Sequence, residues 1–150
     1  ADRQDKQNGF DRIDDPAEAI AVNVARTVSV ATSDPVIAWT LIKSSALRSA
    51  VITSANDPLE RMIRAGTEAG RFDVACPSAA VLAIRGSALA VIQGILNETV
   101  AADVAAQFQE LVLRMLGLDT EEAANVAARA RTRHHHDTHS KSATDDQAGR

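Results

Sequence analysis

Three of the four prolines in this 150-residue chain directly follow an aspartate, and no other feature constrains the fold as strongly. The pairs are Asp15-Pro16, Asp34-Pro35 and Asp57-Pro58. Aspartate caps a helix by accepting backbone N–H bonds, and proline suits the first helical position, where its missing N–H has no intrahelical partner anyway. Apolar residues at helical spacing follow each pair, so each pair predicts a helix start. We therefore predict an all-α fold.

Six helical segments and no strand are predicted along the chain. The second ends near Ser44-Ser45 and is followed by a short helical piece through Ala46–Thr53. Gly70 is expected to end the third helix, because glycine favours the residue after a helix. The sixth helix begins at Asp119, in a capping-box pattern, and ends near Arg133.

The domain boundaries follow from composition. Residues 1–13 are polar and charged and are expected to be a linker or tail. Residues 14–133 are the predicted folded domain. Residues 134–150 are polar without apolar periodicity, which predicts a disordered tail.

The fourth and fifth helices, Ser78–Asn97 and Thr99–Leu116, offer more apolar surface than a small domain can bury in itself. On a helical wheel the fourth helix has one face of small residues and an opposite face of bulky ones. The fifth has one polar stripe and a broad apolar arc, which consists of Val104, Phe108, Leu111, Val112, Met115 and Leu116. Either these helices pack closely within a single domain, or they pack on a second subunit, where two pairs would form a symmetric four-helix interface.

Composition excludes several classes of function. The net charge of −4 and the scarcity of aromatic residues, 3%, disfavour binding to duplex or single-stranded nucleic acid. Cys76 is the sole cysteine, so no internal disulfide forms, as expected in a reducing compartment. No unbroken apolar run approaches a membrane span, and the N-terminus has no signal-peptide pattern.

Few residues suggest chemistry. Arg85 and Gln93 either orient a polar group of a ligand in an apolar pocket, or remain ordinary polar residues, with Arg85 reaching solvent or pairing with a carboxylate. His134-His135-His136 and His139 have no supporting metal-ligand spacing, so no metal site is predicted. Cys76 has no histidine near it in sequence, and no acid–base pair is evident, so catalysis is not expected.

Several segments, taken in order over residues 15–133, resemble the TetR-type transcriptional regulators. Asp34-Pro35 and the helix after it, followed by Leu59–Phe72 with its Gly-x-x-x-Gly spacing, resemble the family's helices before an extended turn. The next helix resembles the penultimate dimerisation helix, Phe108–Leu118 resembles the last one, and Asp119–Arg129 matches the short terminal helix often found after it. The residues that carry the penultimate-helix match are Leu82, Gly86, Leu89 and Gly94.

The resemblance implies a C-terminal effector-binding and dimerisation domain. Nothing in Ala1–Asp34 resembles the family's helix-turn-helix, so DNA would be bound only through a domain missing from this chain. The family implies a cytoplasmic homodimeric repressor that senses a small apolar effector, without enzymatic activity, cofactor, metal or membrane contact. The expected ligand-binding residues are Trp39, Ile42, Met62, Phe72, Arg85, Leu89 and Gln93. The expected dimer-interface residues are Gly86, Ala90, Phe108, Val112 and Met115.

Two other functions are compatible with the same sequence. The chain is alternatively a structural helical dimerisation module with no small-molecule ligand. A small all-α enzyme is a third hypothesis, and the sequence supports it least because no catalytic set of residues converges.

Overall fold

The computed structural model describes residues 13–53 and 57–145, and it describes side chains as far as His134. Within these ranges the chain forms seven α-helices and no strand, which confirms the predicted all-α class. The helices are α1 (Pro16–Ser33), α2 (Pro35–Lys43), α3 (Ser45–Ile52), α4 (Pro58–Glu68), α5 (Pro77–Leu96), α6 (Val104–Met115) and α7 (Thr120–Asp145).

The three Asp-Pro pairs begin helices as predicted, and each aspartate caps its helix with its side chain. Oδ1 of Asp15 accepts the Ala17 N–H at 3.0 Å, and Oδ1 of Asp34 accepts the Ile37 N–H at 3.0 Å. Asp57 caps α4 in the same way. Each bond satisfies a backbone donor that the first helical turn would otherwise leave unpaired.

α1 forms the centre of the bundle, because it packs against α2, α4, α5, α6 and α7. Ile20, Ile63 and Leu113 are completely buried in the main core between these helices. The buried side-chain amide of Gln109 donates to the Ala21 carbonyl at 2.9 Å and so remains hydrogen-bonded. A smaller apolar cluster joins the ends of α1 and α5 to α2.

The predicted start of the fifth helix at Thr99 is wrong, because α6 begins at Val104. The chain reverses direction between α5 and α6, with Glu98 at a φ of 55° and the Thr99 N–H bonded to the Gly94 carbonyl at 3.0 Å. Val100 folds back onto Gly94, where an added Cβ would lie 2.7 Å from Val100 Cγ1. Gly94 is therefore explained by packing within the chain.

The last helix is longer than predicted. Asp119 begins it as expected, with Oδ1 accepting the Glu122 N–H at 2.8 Å. The helix does not end near Arg133 but continues to Asp145, in place of the predicted tail, since neither glycine nor proline interrupts it. At the other end, Ile13 packs against the core although it was assigned to the linker. Residues 1–12 and 146–150 lie outside the described residues.

α5 is long and apolar enough to cross a membrane by length and composition, with a mean hydropathy of 1.8 over its best window. The unbroken apolar runs are shorter because polar residues such as Arg85 interrupt them. About 33% of that window is buried, and α5 packs against α1, α2, α3, α4 and α6. A helix that belongs to the core of a folded domain meets the same criterion, so the hydropathy of α5 is weak evidence for a span.

A cluster of charged residues joins the start of α1 to α7 and to the turn after α4. Arg71 binds Asp15 through two parallel bonds, Nε to Oδ1 at 2.9 Å and Nη2 to Oδ2 at 3.0 Å, and it also pairs with Glu122. Arg133 Nε lies 2.7 Å from Glu18 Oε1. The hydrogen bond from Arg71 lowers the pKa of Asp15 below its ordinary value of 3.8, despite partial burial.

We expect the Arg71→Met variant to lose about 1–2 kcal/mol of the free energy of unfolding at neutral pH. A bidentate, half-buried ion pair contributes more to stability than an exposed one. A carboxyl group whose pKa is lower in the folded chain stabilises the fold at pH values above its unfolded-state pKa. This contribution is lost as the pH falls through the folded-state pKa. The difference between variant and wild type should therefore shrink below pH 3.8. Urea unfolding between about pH 3 and pH 7 measures it. Arg64→Met, which removes an exposed pair with Glu60, should cost less than the Arg71 change. If the stability difference between Arg71→Met and wild type did not change with pH, the ion pair with Asp15 would not be its cause.

Candidate functional site

A cavity of about 420 Å³ lies between α1, α2, α3, the start of α4 and α5. This volume is within the range of small-molecule sites, since an engineered apolar cavity of about 150 Å³ already binds benzene. Most of the wall is apolar. The lining residues are Asn23, Val24, Arg26, Thr27, Val30, Leu41, Val51, Asp57, Pro58, Leu59, Ile84, Arg85, Ala88, Leu89 and Ile92.

Asp57 and Arg85 form an ion pair in the wall, in addition to the polar lining residues Asn23, Arg26 and Thr27. The Asp57-Pro58 helix start holds the carboxylate, since Asp57 Oδ1 accepts the Leu59 N–H at 2.9 Å. Arg85 Nη2 lies 2.7 Å from Asp57 Oδ2, and Arg85 Nη1 donates to the carbonyl of Val51. Only 4% of Asp57 is exposed, so this ion pair is largely shielded from water. A mainly apolar cavity with a few polar groups in its wall can fix the orientation of a small ligand.

Two of the predicted ligand-binding residues, Arg85 and Leu89, line this cavity. Arg85 pairs with a carboxylate, as one of its two interpretations predicted, and its role in orienting a ligand stays a prediction. Ile42 is buried in the smaller cluster nearby, beside Leu89. The sequence-based prediction stays untested for these residues, because no ligand is present to contact them.

The structure does not bring the other predicted residues to the cavity. Trp39 faces a separate surface groove on α2, with Lys43 Nζ 5.1 Å from its ring centre. Phe72 is buried against Gly66, Met62 packs on the main core, and Gln93 is exposed. Large side chains were expected in the cavity wall, but tertiary packing uses Phe72 and Met62 to fill the core instead.

Sequence reasoning missed the contribution of α1 and of Asp57. Asn23, Val24 and Thr27 line the cavity, although no ligand-binding residue was predicted on α1. Asp57 was interpreted only as a cap. One signal was available, because Asn23 and Thr27 are polar residues one helical turn apart beside an apolar face.

A second feature is the exposed face of α5 and α6. Gly86 and Ala90 are exposed on α5, and no described atom lies within 4 Å of a Cβ built at Gly86. On α6, Leu111 and Met115 are 59% and 43% exposed. A glycine inside a helix costs about 1 kcal/mol relative to alanine. Packing among the described residues explains why position 94 is a glycine, but it does not explain the glycine at position 86.

Two of the five predicted interface residues are already buried within the single chain, and the interface itself stays a prediction. Phe108 and Val112 are only 5% and 2% exposed and belong to the core of the chain itself. The apolar arc of this helix is broad, and packing against α1 and α7 takes the side that carries Phe108 and Val112. Leu111 and Met115 remain on the open side, with Gly86 and Ala90 exposed on α5.

Comparisons with known proteins agree with this architecture. The sequence profile of the tetracyclin repressor-like C-terminal domain matches residues 15–129. The crystal structure of RolR in complex with the ligand resorcinol superimposes with a TM-score of 0.72 at 27% identity, covering 82% of this chain and 61% of RolR. RolR without ligand gives a TM-score of 0.71 at 26% identity, covering 82% and 63%. The chain thus spans less than two thirds of RolR. No protein of curated function matches it in sequence.

Proposed function

We propose that this chain, which belongs to the tetracyclin repressor-like C-terminal domain family, is the effector-sensing and dimerisation domain of a cytoplasmic transcriptional repressor. Its role is regulatory rather than catalytic, and a separate N-terminal helix-turn-helix binds the DNA. The observation that carries the proposal is the cavity of about 420 Å³ beside the central helix α1. The likeness to RolR, which binds resorcinol, supports a small aromatic molecule as the effector.

The position of the cavity suggests how an effector acts. α1 lines the cavity with Asn23, Val24 and Thr27, and its first turn is the one held by the Arg71 charge cluster. A ligand shifts a conformational equilibrium only by as much as it binds one state more tightly than the other. An effector that contacts α1 on one side and α5 on the other favours one arrangement of these helices. DNA affinity then changes because α1, the first helix of the described residues, is the one nearest in sequence to an N-terminal DNA-binding domain.

The exposed face of α5 and α6 supports the dimer. Gly86, Ala90, Leu111 and Met115 together offer small residues for close approach and large apolar residues for burial. Two such faces related by a two-fold axis would form a four-helix interface. A dimer without any ligand is the alternative function, and this same exposed face is what favours it.

We expect the Thr27→Phe variant to bind small aromatic ligands at least about tenfold more weakly than wild type, because the larger side chain occupies the cavity. Resorcinol, phenol and toluene are suitable probes for isothermal titration calorimetry and thermal shift. Thr32→Phe is the matched control. Thr32 is also exposed on α1, and its hydroxyl donates to the Ser29 carbonyl as that of Thr27 donates to the Asn23 carbonyl, but Thr32 does not line the cavity.

Two outcomes of this experiment would contradict the effector proposal. If none of the three probes binds while the chain dimerises, the alternative of a ligand-free dimerisation module is favoured. If the probes bind but Thr27→Phe and Thr32→Phe behave alike, the ligand lies outside this cavity.

A further inference from the structure

Of the helices that form the cavity wall, α3 has the weakest attachment to the bundle. No residue of this 8-residue helix is buried, and among the described helices it packs only against α2 and α5. By contrast, α1, α4 and α5 line the same cavity and also carry side chains that are completely buried in the core. A helix as short as α3 is marginal in water by itself, so a few contacts determine its position.

The beginning of α3 is joined to α2 through one residue. Ser44 ends α2 and begins α3 with an extended backbone, φ −86° and ψ 111°, and its side chain accepts the Leu47 N–H at 3.2 Å. The guanidinium of Arg48 ties the same end to α2, because it donates to the Ile42 carbonyl. A single extended residue between two helices is a suitable pivot, since hinges are a few element-terminal residues that absorb backbone rotation.

The opposite end of α3 is held mainly by Arg85 of α5. Arg85 Nη1 donates to the Val51 carbonyl, which lies in the last turn of α3, where carbonyls lack partners within the helix. Ile52 adds a contact with the smaller apolar cluster. If this end moved away, water would replace the bond to Val51, and Arg85 would stay paired with Asp57 at 2.7 Å. Opening would therefore leave no buried charge without its counter-charge.

This end of α3 borders the opening of the cavity. Thr27 and Pro58 line the cavity and are also exposed, so the cavity reaches the surface beside them. Val51 lies next to this region, because Arg85 contacts both the Val51 carbonyl and Asp57, the residue before Pro58. A movement of the Val51 end therefore changes the width of the opening, whereas the end joined to α2 stays in place.

We propose that α3 is the gate of this cavity: it swings about Ser44 to admit a small molecule and returns to cover it, and Arg85 is the positioning residue that holds the closed state. The inference rests on the effector function proposed above and adds how the effector enters and leaves. A bound molecule contacts Val51 as well as the α1 and α5 walls only in the closed state, so binding favours closure. Such lids generally belong to the least stable parts of a fold.

NMR line-shape analysis of resorcinol titrations tests the gate, since it gives both the association and the dissociation rate constant. In Ile52→Ala both constants should rise by the same factor, at least about threefold, with Kd unchanged within about twofold. The reason is that Ile52 helps to hold the closed gate but does not line the cavity. Leu47→Ala is the matched control, because Leu47 lies on the same helix, is 45% exposed and does not line the cavity. It should leave both rate constants unchanged.

Hydrogen exchange tests the gate without a ligand. The α3 amides of the wild type should exchange at least about tenfold faster than those of the buried turns of α1 and α5. Arg85→Lys keeps a positive charge beside Asp57 but lacks the planar fork that also reaches Val51, so it should speed exchange in α3 at least about threefold further. Resorcinol should slow the exchange of the α3 amides in the wild type.

The outcomes separate the gate from the effector function. If resorcinol binds but Ile52→Ala keeps wild-type rate constants, or if α3 is protected as strongly as α5, the gate is rejected and the effector function stands. A weaker Kd for Ile52→Ala with an unchanged association rate would also reject the gate. If resorcinol, phenol and toluene all fail to bind, both proposals are overturned. Ile52→Ala decides the question even if Arg85→Lys does not fold.

Discussion

Replacing Gly66 with alanine should lower the free energy of unfolding by about 1–3 kcal/mol, although glycine to alanine normally stabilises a helix. A Cβ at Gly66 would lie 2.3 Å from Cδ2 and Cε2 of the Phe72 ring. Phe72 is itself buried, so its ring cannot move aside without opening the core. The turn after α4 also depends on this residue, because the Gly66 carbonyl accepts the Arg71 N–H at 2.8 Å.

Urea unfolding of four chains isolates the contact: wild type, Gly66→Ala, Phe72→Leu and the double variant. If the ring is the obstacle, the double variant loses less stability than the two single variants together, because leucine leaves room for the new methyl group. Strictly additive losses would show that Phe72 is not the cause. Gly70→Ala is a useful comparison, since no described atom crowds that position and only its φ of 72° opposes the change.

The second large effect concerns the exposed face of α5 and α6. Leu111→Glu should weaken the proposed dimer at least about a hundredfold in Kd. The side chain is 59% exposed in the single chain, so the substitution should not disturb the monomer fold. In an isologous interface each substitution occurs twice, and both introduced carboxylates would be buried near the symmetry axis.

Sedimentation velocity over a range of concentrations measures the effect. Val36→Glu serves as the control, because Val36 is 76% exposed on α2, away from this face. It should leave the dimer intact. A wild-type chain that stays monomeric, or a Leu111→Glu chain that still dimerises like wild type, would reject the interface.

Local sequence patterns were enough to predict most of the helices. Asp15, Asp34 and Asp57 cap the helices they were expected to cap, and Asp119 does the same for α7. Gly70 follows α4 with a φ of 72°, in agreement with the predicted helix end. These predictions succeed because a cap depends on atoms two or three residues away in the chain.

Predictions that depended on a neighbouring helix succeeded less often. A helical wheel placed Phe108, Leu111, Val112 and Met115 on one apolar arc, but it does not show which part of that arc meets the core. The structure buries Phe108 and Val112 and leaves the other two exposed. Likewise, Thr99 failed as a helix start because Val100 packs on Gly94.

The sequence by itself determined that this protein is an all-α bundle with helices begun by Asp-Pro pairs, and its ordered motifs indicated the family. Those properties are local or depend on the order of segments along the chain. Only the tertiary structure decided that Asp57 and Arg85, which are distant in sequence, meet at a cavity beside α1. It also decided which apolar side chains remain exposed on α5 and α6. Burial and charge pairing depend on how helices pack in space, and helical periodicity alone carries no information about that packing.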